Sequence, residues 1–124
     1  MAYITPNHQG LCYGDGYLSG AGSLGQVVRI SDHDTFVVNT DPTMASFGIL
    51  AKDYTNGQMP GIYCNGGVYE TDVFDGTVQP GDALKVSANG KLCAGVQTGE
   101  QGLPPQQFSV RKPSSAFMVV KLAV

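Results

Sequence analysis

The sequence has no tryptophan, two histidines, three cysteines and few charges, and each shortage removes a class of chemistry. Cys12, Cys64 and Cys93 are odd in number and too widely spaced for a C-x-x-C pair, which argues against a disulfide framework or a metal ribbon. Each sits beside apolar or glycine neighbours and is read as a small hydrophobe with a free thiol. The best grouping around a histidine is Ser31-Asp32-His33-Asp34. Adjacent residues on a short turn point in divergent directions, so a solvated hairpin turn accounts for this stretch better than a metal or catalytic site. His8 has no partner nearby in sequence. A G-x-S-x-G elbow, a P-loop and an H-E-x-x-H helix are all missing. GDGYLSGAG and CNGGV are glycine-rich, but neither leads from a strand into a helix as a phosphate cradle does. The expectation is a chain that is not an enzyme and holds no metal or cofactor.

No apolar run approaches the roughly 18 residues of a membrane span, and MAYITPNHQG has neither a basic nor an apolar leader segment. The chain is expected to be soluble, made in a cytoplasm and free of membranes. A net charge of −3 gives no electrostatic reason to bind nucleic acid or anionic lipid. Charged residues make up 14% of the chain, against about 25% in an average soluble domain. Either the surface is polar and uncharged, or part of it is buried against another chain.

What the sequence has is turns. Eight of its 17 glycines fall in Asn56-Gly57, Pro60-Gly61, Asn65-Gly66-Gly67, Asp75-Gly76, Pro80-Gly81, Asn89-Gly90 and Thr98-Gly99. Short β-rich segments at this spacing predict an all-β fold, a small barrel or sandwich of short antiparallel strands. Strands are expected at 26–30, 35–39, 46–51, 61–64, 68–74, 83–87, 91–97 and 116–123. In the 83–87 segment Leu84 and Val86 share one face while Lys85 and Ser87 take the other, a hairpin strand with one wet side. With 124 residues the chain is expected to form one domain. Its parts are an irregular N-terminal arm over 1–25, a β core over 26–97, a proline-containing loop over 98–113 and a final strand over 114–124.

The final strand is apolar on both faces: Ala116, Met118, Val120, Leu122 and Val124 alternate with Phe117 and Val119, a second face broken only by Lys121. One face is core, and the other needs cover from the arm or from a neighbouring subunit. Tyr3, Tyr13 and Tyr17 cluster in the arm, where they are suited to packing, to a protein interface or to stacking on a sugar.

The stretch SFGILAKDYTNGQMPGIYCNGGVYETDVFDGTVQPGDALKVSANGKLCAG resembles the small capsid decoration, or cement, proteins of tailed bacteriophages. The matching pieces are Gly48 to Lys52, Asn56-Gly57, Gly61 to Cys64, Gly66 to Glu70, Pro80 to Lys85 and Asn89 to Leu92. The likeness spans Ala45 to Gly95 and extends faintly over Gly25 to Asn39. It rests on a turn pattern, and the proline-rich stretch Gly99 to Pro113 departs from it. The resemblance implies a compact β body, self-association as a homotrimer, and attachment to major capsid protein on the capsid exterior of a virion, where the protein stabilises the shell. The expected contact residues are Tyr3, Ile4, Leu11, Tyr13, Tyr17 and Leu18 in the arm, with Phe117 and Val119 facing a sister subunit. The alternative is a carbohydrate-binding or host-surface-binding β module on a virion.

Overall fold

Turn signals recur so closely that no strand among the described residues exceeds seven residues. The computed structural model describes residues 2–100, 108–114 and 117–122, and among them there is no helix. The strands are β1 (Ile4–His8), β2 (Leu11–Tyr13), β3 (Tyr17–Leu18), β4 (Val27–Asp32), β5 (Thr35–Val38), β6 (Gly48–Leu50), β7 (Ile62–Cys64), β8 (Val68–Thr71), β9 (Leu84–Val86), β10 (Leu92–Ala94), β11 (Phe108–Ser114) and β12 (Phe117–Lys121). One sheet has the order β1-β8-β12-β11 and is antiparallel throughout. A second has the order β2-β7-β6-β4-β5-β3 and is antiparallel except at its edge, where β3 runs parallel to β5. The β9–β10 hairpin is separate and touches the segment after β8 through a Phe74–Leu92 bridge. The fold is an open β sandwich, and no sheet closes into a barrel.

Strand alternation assigns the core. Ile4, Tyr69, Met118 and Val120 from the first sheet meet Val27 and Ile49 from the second, with Leu84, Val86 and Leu92 of the hairpin packed in the same cluster. Lys85, between the two buried hairpin residues, is held on the wet side by Glu100, Nζ to Oε1 2.7 Å. A second cluster, Leu18, Val28, Phe36, Leu50 and Ile62, lies on the other face of the six-stranded sheet. β4 makes this possible because Val27 and Val28 are apolar at consecutive positions and so serve both faces.

The eight strands expected from the sequence are present, most of them shortened at one or both ends. The irregular arm is not. Residues 4–18 carry three strands, because Ile4 fills a core position opposite Thr71, whose hydroxyl donates to Tyr3 O at 2.8 Å. Pro6 is tolerated because β1 is an edge strand. The expected loop contains β11, which pairs with β12 as a hairpin, and residues 101–107 lie outside the described set. The last strand starts at Phe117, and positions 115–116 and 123–124 are likewise outside.

Both β1–β2 and β7–β8 change sheets at one corner. There Gly10 and Gly67 approach so closely that a Cβ on Gly10 would lie 2.4 Å from Gly66 O, and one on Gly67 2.5 Å from Gly10 N. Tyr69 Oη accepts the Gly10 amide at 3.1 Å and ties the corner to the core. The Asn89-Gly90 turn also has a second role. Gly90 O accepts Val27 N at 2.7 Å, and a Cβ there would lie 2.4 Å from Val38 Cγ1, so the hairpin tip docks on β4 and β5.

Candidate functional site

The second cluster is not fully covered. Beyond Val28 on the same face of β4 comes Ile30, paired with Phe36, and its side chain is 60% exposed. Tyr13, Phe36 and Phe47 pack beside it, with ring centroids 5.8 Å (Tyr13–Phe36), 5.4 Å (Tyr13–Phe47) and 4.9 Å (Phe36–Phe47) apart. Tyr13, Ile30, Asp34, Thr35, Phe36 and Phe47 line a hollow of about 160 Å³. Ile30 and Phe47 also wall an adjoining hollow of about 250 Å³, completed by Arg29, Met44, Ala45 and Ser46. The result is two neighbouring depressions that share an apolar ridge.

Local sequence holds this surface in place. Asp34 takes φ +51° at the tip of the β4–β5 turn, a conformation open to Asp and Asn through their short polar side chains. The 41–46 segment is anchored by Asn39, which is fully buried. Its Nδ2 donates to Met44 O at 3.2 Å and to Ser46 Oγ at 3.0 Å, and its Oδ1 accepts the Asp41 amide at 3.0 Å. Asp41 Oδ1 in turn accepts the Thr43 hydroxyl at 2.7 Å and amide at 2.9 Å. Those bonds, with the positive charge of Arg29, hold the Asp41 carboxyl below the usual range.

The expected contact residues divide. Leu11 on edge strand β2 and Tyr17 on edge strand β3 are 54% and 61% exposed. Tyr13 is half-buried and lines the first hollow. Ile4, Leu18 and Val119 are corrections: all three are buried within their own chain and offer no surface to a partner. Ile4 and Leu18 face the two core clusters. Val119 is 2% exposed, whereas Lys121 on the same face of β12 is exposed. Within the arm, β1 does not stack over β12, because it lies in the same sheet beyond β8. Phe117 is half-buried. Tyr3 is half-buried too; its hydroxyl donates to Glu70 Oε2 at 2.8 Å and its amide to Asp72 Oδ1 at 2.9 Å. Burial and that carboxylate push the Tyr3 phenol up to about 12.

Sequence reading missed Ile30, Met44 and Phe47. A signal for Ile30 was present: Val28 and Ile30 share a face by alternation, and the strand runs on to Asp32. Met44 and Phe47 carry no such signal, since a loop places them. His33 sits at the exposed turn, its amide donating to Asp32 Oδ1 at 2.7 Å, and neither His33 nor His8 lines these hollows. Among the described residues no three of His, Cys, Asp and Glu are grouped to hold a metal ion. No helix among them is long and apolar enough to cross a membrane. The chain matches no protein-family model and no curated protein.

Proposed function

We propose that the protein is a structural component of a virion that binds the outside of a phage capsid and stabilises the shell by bridging major capsid protein subunits. The observation that carries this reading is the pair of apolar hollows around Ile30 and Phe47, a surface built by the fold and left open among the described residues. The turn pattern from Ala45 to Gly95 supports it from the sequence side. A cement protein needs no reacting groups. Its mechanism is linkage: whatever binds only the assembled shell stabilises it by RT ln(1 + [L]/Kd) per site, and a homotrimer multiplies the effect through effective concentration.

The glycan-binding alternative has less support. Stacking on a sugar needs an open ring face, whereas Phe36 is buried and the three rings are tilted by 55° to 71° against one another. Co-sedimentation of the purified protein with shells that lack it tests the proposal. Saturable binding at a copy number matching symmetry-related sites is expected. Absence of binding to shells of every maturation state rejects it, and hits on a glycan array would then favour the alternative.

A further inference from the structure

We propose that the hollow beside Asp34 takes a lysine or arginine side chain from an extended segment of the partner, with an apolar side chain two residues away entering the adjoining hollow. This deepens the docking reading above and rests on it. Size is the first argument. At about 160 Å³ the first hollow is smaller than the roughly 300–1,000 Å³ that a small-molecule ligand occupies, and it suits one long side chain.

Charge is the second. Asp34 stands on the rim of the hollow, Asp32 lies two residues before it, and Asp15 is next to Gly16, whose added Cβ would lie 2.6 Å from Asp34 O. All three carboxylates are exposed, and among the described residues no ion pair joins any of them to a cation. A basic side chain lays its methylene stem along Tyr13, Ile30, Phe36 and Phe47 and brings its charged head out to Asp34 at the rim. An acidic side chain entering the first hollow would meet the like charge of Asp34. The adjoining hollow has Met44, Ala45 and the Ile30–Phe47 ridge for an apolar group, beside Arg29, whose positive charge also acts on Asp41. Successive same-face side chains of an extended strand, about 7 Å apart, span such neighbouring hollows.

The test is an amide-resolved NMR titration of the ¹⁵N-labelled full chain with the capped peptide Ser-Arg-Ser-Leu-Ser, and with versions carrying Gln or Glu in place of Arg. Saturable shifts at Ile30, Asp34, Phe36 and Phe47 are expected, with the Arg peptide binding most tightly and Glu least. Asp34→Asn, which tolerates the same positive φ, is expected to weaken the Arg peptide by about two- to five-fold, the range for one exposed charge pair, and to leave the Gln peptide unchanged. Equal binding of the Arg and Gln peptides, no saturable shift at these amides, or an Asp34→Asn protein indistinguishable from wild type overturns the proposal. Shell binding without peptide selectivity would reject this inference and leave the decoration reading intact. Peptide selectivity without shell binding would do the reverse.

Discussion

Asn39 shows how much one side chain carries. It is fully buried, every polar atom of its amide is used, and the bonds it makes set the path of the 41–46 loop that brings Met44 and Phe47 to the surface. Asn39→Ala leaves the Met44 carbonyl, the Ser46 hydroxyl and the Asp41 amide without that partner, a loss of about 1–3 kcal/mol. Urea denaturation is expected to show a lower midpoint at constant slope, and the proposed docking on shells would weaken in the same variant. Tyr3 makes a pH prediction. Its phenol titrates near 12 in the folded chain and near 10 when free, so the unfolded chain loses its proton first. Its contribution to stability is complete below pH 10 and is lost as pH rises towards 12. Tyr3→Phe should flatten the alkaline fall in stability; an unchanged slope would show that Tyr63 and Tyr69, whose phenols burial also raises, account for it. Neither residue announces these roles in the sequence. Asn39 ends an apparent strand, and its partners come from a loop whose course depends on the packed fold.

At the scale of the element, the strands with β-branched alternation or flanking turn signals were legible, and those without either were not. β4 and β5 read directly from VVRI and TFVV. β1 reads as ITPNH, where Pro6 masks a strand that only an edge position permits, and β2 and β3 are three and two residues long. Partner choice was not legible at all: β8 joins β1 to β12 across nearly the whole chain. The structure therefore predicts that Ile4→Ala costs about 2–4 kcal/mol, because it leaves a cavity against the Tyr69–Met118 cluster. Removing residues 1–8 should destabilise the sandwich rather than trim a free arm, as a drop in thermal midpoint would show. Ile30→Glu gives the opposite pattern. The side chain is exposed, so stability should change by no more than about 0.5 kcal/mol while the shell binding proposed above would be lost. A variant that still co-sediments with shells would move the docking surface elsewhere, with Leu11 and Tyr17 the next candidates.

For the whole molecule, topology sets the pace. Four of the nine described strand pairs join consecutive strands, but β1–β8, β8–β12 and β2–β7 each close long stretches of chain. Folding is expected in milliseconds to seconds, the range of β sandwiches with non-local pairing, and stopped-flow tyrosine fluorescence would measure it. The three thiols offer a finer view, since they are shielded to different degrees. Cys12 is exposed on β2, Cys93 is half-buried on β10, and Cys64 is buried on β7. Burial raises the last two thiols, so their thiolates are scarcer as well as less reachable. Reaction with a chromogenic disulfide should then unfold in separate phases, with Cys12 first. The delay before Cys93 reacts times the loosening of the hairpin, and the delay before Cys64 reacts times the parting of the six-stranded sheet. The sandwich thus carries its own clock, able to record which half lets go first when the protein is heated.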